Sequence, residues 1–152
     1  MNNSFLIMKR LAYIMEYKEI AKKTINHLYS AHTSIRTSGI DPQIIALAEL
    51  YVSQINGCAY CCAFHAQELR DMGLSQEVID KIPGYKHSNV FSKKQLLALE
   101  LAEAVTFLSE KIETVKIQLT EYFSEREIVE LTTSISLMGA LNRLRITLGD
   151  KS

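Results

Sequence analysis

Residues Ser53 to Glu68 read SQINGCAYCCAFHAQE and hold all three cysteines of the chain and one of its four histidines. The Asn-Gly pair that ends at Gly57 predicts a break between two helices, because this pair favours a turn. Beyond the break, the residues predict a helix that runs to about Met72, with Gly73 as its stop. The cysteines are therefore expected at the start of a helix.

The rest of the chain has the same helical character. No segment alternates apolar and polar residues as a strand does, and apolar residues recur at three- and four-residue spacing. Asp41 predicts one helix start, because it can cap a helix ahead of a proline. Ser92 with Gln95, and Ser124 with Glu127, have the spacing of capping boxes. We therefore predict an all-α fold, a helical bundle of about six helices.

The length of 152 residues is that of one domain. We predict a single domain over residues 1–152, with the cysteine motif at residues 53–73. One clear loop, residues 83–91, is expected to divide the domain into two halves. A further expectation is that residues 16–37 form one long helix.

Charge and hydropathy exclude several classes of partner. The 17 basic and 17 acidic side chains give a formal net charge of zero, so no nucleic-acid partner is expected. The longest charge-free run, residues 50–67, is too polar for a membrane span, so no membrane partner is expected either. The N-terminus lacks the features of a signal peptide. We therefore expect a cytoplasmic location, where a close cysteine pair is typical of redox or metal chemistry.

Cys58, Cys61 and His65 are predicted to share one helix face, because spacings of three and four residues bring them within roughly 60° of one another. The helix N-terminus favours a thiolate at Cys58, whereas His65, one turn beyond Cys61, favours the thiolate at Cys61. The residues alone leave open which thiol attacks. A dithiol beside a base can attack an oxidant, form a disulfide and be reduced by exchange.

Two other interpretations of this face stay open. The first is zinc, for which Cys58, Cys61 and His65 would supply three of four ligands. Zinc sites usually draw ligands from two separate segments, and the chain has no second Cys/His pair, so we predict no metal. The second interpretation is that the cysteines are small core residues, which we adopt for Cys62. The candidates for a fourth zinc ligand are Cys62, Glu49, His87 and His32.

Other polar residues are expected to be structural. His32 lies on an apolar stripe and is expected to pack at the edge of the core. Tyr60 faces away from the cysteine face by its spacing. Arg143 and Arg145 on the last helix are expected to form ion pairs or an interface rather than to bind a substrate.

The sequence QINGCAYCCAFHAQELRDMGLS, residues 54–75, resembles the core motif of the alkylhydroperoxidase D (AhpD)-like, carboxymuconolactone decarboxylase superfamily. The motif there is Gly-Cys-x-x-Cys-x-x-x-His, followed by a helix end and Gly-Leu. Residues 91–108 and 122–144 resemble the later helices of its peroxidase-related branch. The resemblance covers about residues 39–148. It implies an all-α fold and a homo-oligomer, a trimer or hexamer, that assembles through its helices.

The resemblance also implies an activity. The redox-active branch reduces hydroperoxides, and carried over to this chain Cys61 attacks, Cys58 resolves the product to a disulfide, and His65 assists with a carboxylate. The implied substrate is a hydroperoxide or a small disulfide. The implied partner is a thiol reductant protein, either a dihydrolipoyl carrier or a thioredoxin-like protein. The resemblance implies no flavin, haem or metal cofactor.

The chain departs from the family pattern at two positions. The family glutamate, twelve residues before the first cysteine, is Ala46 here, and Glu49 lies one helical turn later on roughly the same face. Glu49 is therefore our candidate for the carboxylate. Tyr60 replaces a histidine of AhpD. The alternatives are a disulfide reductase without peroxidase specificity and a non-catalytic helical binding or adaptor protein, which Ala46 favours. A decarboxylase or lactone-type reaction ranks below them, because that branch generally lacks the cysteine pair.

Overall fold

The structure is a computed structural model, and it describes residues 14–149. Over this range it is helical and contains no strand, so the predicted all-α fold is confirmed. Residues 1–13, which bear on the expectation of no signal peptide, lie outside the described residues. The helices are α1 Tyr17–Ile20, α2 Lys22–Arg36, α3 Pro42–Asn56, α4 Ala59–Asp71, α5 Gln76–Asp80, a 3-10 helix Ile82–His87, α6 Lys93–Phe107, α7 Ile112–Leu119 and α8 Glu125–Leu148.

The helix count in this part of the chain exceeds the predicted six for local reasons. Residues 16–37 are not one helix, because Ala21 has φ −114° and ψ 41° and separates α1 from α2. The segment 83–91 is not a plain loop, because the 3-10 helix takes up its first half. Pro83 lies in the first turn of that helix, where its fixed φ is compatible with helical geometry.

Side-chain caps begin three of the helices as predicted. Ser92 and Gln95 form a capping box at α6, with the Ser92 N–H donating to Gln95 Oε1 at 2.8 Å. Ser124 and Glu127 form the second capping box at α8, with the Ser124 N–H donating to Glu127 Oε2 at 2.8 Å. The Asp41 carboxylate caps α3 by accepting the backbone N–H two residues on at 2.9 Å. These caps satisfy N–H groups that the helices themselves leave free.

Helix α3 is the centre of the bundle and packs against α4, α6 and α8. Its residues 44–53 are all buried, so it has no solvent face over that length. A side chain on any face of this segment therefore lies inside the protein, and Glu49 is only 1% exposed.

Helix α8 contacts α3 through apolar side chains and through a hydrogen-bonded cluster of Ser53, Asn56 and Asn142, which we call the clasp. Asn142 is fully buried, and its Nδ2 donates to Ser53 Oγ at 3.1 Å. Its Oδ1 accepts from Asn56 Nδ2 at 3.1 Å. The Ser53 hydroxyl in turn donates to the Glu49 carbonyl at 2.8 Å. The three side chains lie in the C-terminal halves of α3 and α8.

Helix α8 carries three small residues close together, Ser136, Gly139 and Ala140, and the described residues 14–149 leave two of them exposed. Ser136 and Ala140 are exposed, whereas Gly139 is buried. An added Cβ at Gly139 would lie 3.0 Å from Arg143 Nη1, so this glycine accommodates a side chain of its own helix. In the described part of the chain, no helix is both long and apolar enough to cross a membrane.

Candidate redox site

The turn between α3 and α4 positions the cysteine pair. Gly57 ends α3 in the left-handed region, with φ +71°, and its N–H donates to the Gln54 carbonyl. The Cys58 N–H donates to the Ser53 carbonyl at 3.0 Å. This two-residue turn satisfies the end of α3 and brings the chain directly into α4.

Cys58 and Cys61 are joined by a disulfide, with their Cα atoms 5.3 Å apart. The sequence predicts Cys58 at the start of the helix, within its first turn. In the structure Cys58 is instead the N-cap of α4, because the left-handed turn at Gly57 delays the helix by one residue. Its carbonyl accepts the first helical hydrogen bond, from the Cys62 N–H at 2.9 Å. Cys62 is a free, half-buried thiol, and burial raises its pKa, which keeps it a thiol rather than a thiolate.

His65 lies one turn beyond Cys61 and is 3% exposed. Its Nδ1 is 3.0 Å from Glu68 Oε2 and 3.5 Å from Glu49 Oε2. Both carboxylates therefore engage the same ring nitrogen, which leaves Nε2 without either of them. The structure thus brings together all four predicted site residues, Cys58, Cys61, His65 and Glu49.

Glu49 is a buried carboxylate with several polar partners. The Ser134 hydroxyl donates to its Oε1 at 2.7 Å, and His32 Nε2 lies 3.3 Å from the same oxygen. The Arg36 guanidinium donates to Oε2. Burial alone would raise the pKa of Glu49, but the His32 hydrogen bond and the Arg36 charge outweigh it and lower the pKa. The carboxylate is therefore ionised at neutral pH.

Arg36 links the two carboxylates of the site. Its Nη2 donates to Glu68 Oε2 at 2.8 Å as well as to Glu49 Oε2, and its Nη1 donates to the Pro42 carbonyl at 3.0 Å. Glu49, His65 and Glu68 offer ligand atoms within 4.8 Å of one another, the spacing of a metal site. The guanidinium already supplies positive charge to both carboxylates at this point, so we assign no metal there.

A cavity of about 220 Å³ opens beside the disulfide. Cys61 and His65 line it, whereas Cys58 does not. The exposed fraction is 9% for Cys61 and 2% for Cys58, so a small molecule in the cavity meets the Cys61 sulfur. The other lining residues are Tyr17, Lys18, Tyr29, His32, Tyr60, Phe64, Met138, Leu141 and Arg145.

One expectation for an individual residue is wrong, and two other residues make contacts that the sequence did not indicate. Tyr60 does not face away from the site but lines the cavity beside Cys61, because the cavity spans more than one face of α4. Arg145 joins the same wall, with its Cζ 3.7 Å from the centre of the Tyr60 ring. His32 is more than a packing residue, since it contacts Glu49. Among residues 14–149, the group with the spacing of metal ligands is Glu49, His65 and Glu68, which includes neither His32 nor the exposed His87.

Sequence reasoning missed Glu68, Arg36 and Ser134. The contact of Glu68 with His65 could have been predicted, because Glu68 lies three residues after His65 on the same helix and so on the same face. Arg36 and Ser134 had none, because they reach Glu49 from α2 and α8 only through tertiary packing.

Comparison with protein families matches residues 20–104 to the carboxymuconolactone decarboxylase family. The chain is 26% identical over 140 residues to the uncharacterized protein YdfG of Bacillus subtilis strain 168, covering 91% of this chain and 95% of that protein. It is 24% identical over 103 residues to the uncharacterized protein YnjA of Escherichia coli K12, covering 67% of this chain and 57% of that protein.

Two solved structures share the fold. A protein of unknown function from Agrobacterium tumefaciens, ATU0492, described as a candidate antioxidant defence protein AhpD, superposes with a TM-score of 0.84 and 27% identity over 90% of this chain and 94% of its own. An uncharacterized peroxidase-related protein from Silicibacter sp. TM1040 superposes with a TM-score of 0.71 and 16% identity, covering 83% of this chain and 68% of its own. The second similarity concerns the fold alone.

Proposed function

This chain belongs to the carboxymuconolactone decarboxylase family, with the predicted AhpD-like fold, and we propose that it is a thiol-dependent enzyme that reduces organic hydroperoxides. One observation carries the proposal. Of two cysteines joined by a disulfide, Cys61 lines a cavity together with His65, and Cys58 is buried behind it. This arrangement has one sulfur that a substrate can reach and a second that can resolve the product.

The proposed reaction starts from the reduced pair. His65 takes the thiol proton of Cys61, and the thiolate attacks the terminal oxygen of the hydroperoxide. The O–O bond breaks, an S–O bond forms, and the alkoxide leaves as an alcohol with the proton from His65. The Cys58 thiol then attacks the Cys61 sulfur, so that the S–S bond forms and the oxygen leaves as water with the Cys58 proton. Two electrons pass from the dithiol to the peroxide.

The carboxylates support the proton transfer in this proposal. Glu49 and Glu68 both approach His65 Nδ1, so they hold the ring in place and stabilise the imidazolium that forms when Nε2 takes the proton. Glu49 thus fills the place that Ala46 leaves in the family pattern. Its contact with His65 supports a catalytic role over the non-catalytic adaptor that Ala46 favours.

An external dithiol must return the enzyme to its reduced form. It reduces the Cys58–Cys61 bond by exchange and becomes a disulfide itself, which returns two electrons and two protons. We propose a dihydrolipoyl carrier or a thioredoxin-like protein as this reductant, and a homo-oligomer, a trimer or hexamer, working in the cytoplasm. These partners and this location rest on the family resemblance. No step of the proposed cycle requires a metal or an organic cofactor.

The test is a single turnover of the reduced protein with cumene hydroperoxide. We expect one molecule of alcohol and the loss of two titratable thiols per chain. Cys61→Ser should slow peroxide consumption by about two orders of magnitude or more, because it removes the attacking group. Cys58→Ser should still react once and then stop at the sulfenic acid, which a sulfenic-acid probe would label at Cys61.

Cys62→Ser is the matched control, because Cys62 neighbours Cys61 but is not part of the disulfide, and it should consume peroxide like the wild type. Unchanged consumption in Cys61→Ser would show that the peroxidase proposal is wrong. A protein that exchanges with small disulfides but ignores hydroperoxides would be a disulfide reductase instead.

A further inference from the structure

The cavity beside Cys61 carries positive charge without a compensating acid. Lys18 and Arg145 are both among its lining residues, and none of the described lining residues is a carboxylate. The nearby Glu49 and Glu68 do not line the cavity, and both bond to Arg36, which does not line it either. A ligand in the cavity therefore meets two cationic side chains whose charge no lining acid offsets.

Arg145 donates to the Tyr17 hydroxyl but keeps further N–H donors that no described carboxylate occupies. Its guanidinium stacks on the Tyr60 ring, with Cζ 3.7 Å from the ring centre, and a stacked guanidinium keeps its in-plane N–H donors. Its Nε is buried without a hydrogen-bond partner, and no salt bridge to Arg145 occurs within residues 14–149. Arg36, by contrast, is bonded to two carboxylates.

Lys18 lies on the same wall and is held in a similar way. Its Nζ is 5.3 Å from the centre of the Tyr29 ring, and both residues line the cavity. Aromatic rings thus orient both cations without neutralising them. Such a wall attracts an anion, and a planar guanidinium with free donors matches the two oxygens of a carboxylate.

We infer that the cavity is a carboxylate-binding substrate site, and that the preferred substrate is a small organic hydroperoxide that carries a carboxylate. This inference rests on the proposed function for the hydroperoxide and on Arg145 for the carboxylate. Arg145 binds the anion at one wall, and the hydroperoxide group reaches Cys61 at another. The carboxylate takes no part in the bond changes.

The volume of the cavity limits how large the rest of the substrate can be. Its volume of about 220 Å³ exceeds the ~150 Å³ of a protein cavity that accommodates benzene. There is room for one aromatic ring with short substituents. Phe64, Met138 and Leu141 supply the apolar contacts for such a body.

The first experiment measures binding to the oxidised protein and does not depend on catalysis. The probes are 4-isopropylbenzoate and neutral isopropylbenzene, which differ only in the carboxylate. We expect the wild type to bind the benzoate at least about 10-fold more tightly, and Arg145→Gln to lose that preference, because a charged hydrogen-bonded pair is lost. Arg143→Gln is the matched control: Arg143 lies on the same helix, bonds to the Gly139 carbonyl, and does not line the cavity.

The second experiment measures kcat/KM for cumene hydroperoxide and for its 4-carboxy derivative. We expect the carboxy derivative to be preferred by the wild type and by Arg143→Gln, and the preference to fall about 10-fold or more in Arg145→Gln. Arg145→Lys, which keeps the charge and the stem, guards against a folding defect and should retain part of the preference.

The outcomes separate the two proposals. Equal binding of the two probes by the wild type, or a benzoate preference that persists in Arg145→Gln, overturns the carboxylate site. Turnover of both hydroperoxides with equal kcat/KM also overturns it while leaving the peroxidase proposal intact. If neither hydroperoxide is consumed, the peroxidase proposal and the substrate inference both fail, and the binding data still decide whether Arg145 holds a carboxylate.

Discussion

Glu49 carries a charge at the middle of the most buried helix of the protein. Its two oxygens accept hydrogen bonds from Ser134 and Arg36, and His32 lies beside the first of them. Burial of an ion without such partners would be prohibitively costly. These three partners lie on α2 and α8. The ionised state of Glu49 therefore depends on the correct packing of both helices against α3.

The pH dependence of stability should reveal this charge. The pKa of Glu49 in the folded protein lies below its ordinary value of 4.5, so the unfolded chain takes up the proton first as the pH falls. The stability that ionised Glu49 contributes is therefore present above about pH 4.5 and is lost as the pH falls through the folded pKa. We expect Glu49→Gln to lower the free energy of unfolding by about 3 kcal/mol at neutral pH.

Urea unfolding at several pH values measures the effect. The difference in free energy of unfolding between wild type and Glu49→Gln should become smaller as the pH falls from 7 towards the pKa of Glu49 in the folded protein. The reason is that the wild-type carboxyl then becomes neutral as well. Glu121→Gln is the control, because Glu121 is exposed and belongs to none of the described ion pairs. Its free energy of unfolding should stay close to that of the wild type at every pH. A difference for Glu49→Gln that stays constant with pH would contradict an ionised Glu49.

Sequence could predict those site residues whose relationship is local. Cys58, Cys61 and His65 follow from helical spacing, and Glu49 follows from its position one turn after Ala46. Tyr60 was misplaced because helical spacing defines directions from α4 but not the shape of the cavity that α8 completes. The place of Arg145 in the cavity wall could not be predicted for the same reason, since only tertiary structure brings it onto Tyr60.

At the scale of elements, the turn between α3 and α4 decides where the cysteines lie. Gly57 has φ +71°, and an ideal Cβ built there would meet no atom within 4 Å. A substitution at this position therefore strains the backbone without causing a clash. The strain matters here because the next residue, Cys58, caps α4 and carries one half of the disulfide.

Gly57→Ala should lower the free energy of unfolding by about 1 kcal/mol, because alanine is disfavoured at positive φ. Gly84→Ala is the matched control, since Gly84 also has open space around it but a φ of −108°. We expect the control to change stability by less than about 0.5 kcal/mol. Chemical denaturation measures both values, and equal costs at the two glycines would show that backbone conformation is not the cause.

Helix ends were predictable where a side chain marks them. Ser92 and Ser124 carry their own signal in the residue three positions later, and both capping boxes are present. The break at Ala21 has no such signal, because alanine is a strong helix former and only its backbone angles interrupt the helix there. The prediction of one long helix over residues 16–37 failed for that reason.

At the scale of the whole molecule, we expect the depth of the disulfide to restrict its reductants. Cys58 and Cys61 are 2% and 9% exposed, and the cavity gives access to the Cys61 sulfur. A dithiol at the end of a flexible arm can enter such a cavity, whereas a dithiol on the surface of a folded protein cannot approach as closely. The rate of reduction is therefore expected to depend on the shape of the reductant.

We therefore expect dihydrolipoamide to reduce the oxidised protein faster than thioredoxin at equal dithiol concentration. The rate is measured by the appearance of protein thiols, and each reductant is normalised to its rate with a small soluble disulfide. Faster reduction by thioredoxin after this normalisation would mean that the disulfide becomes more accessible than the structure shows.

The clasp between Ser53, Asn56 and Asn142 has a consequence for the placement of α8. Apolar side chains tolerate a slide of one helix along another, but a buried amide has partners in one position only. A slip of one turn, about 5.4 Å, would leave the Asn142 amide unpaired inside the protein. The clasp therefore fixes the axial register of α8 against α3. Ser134 and Arg145 lie on the same helix, so one buried asparagine sets where both of them meet the site.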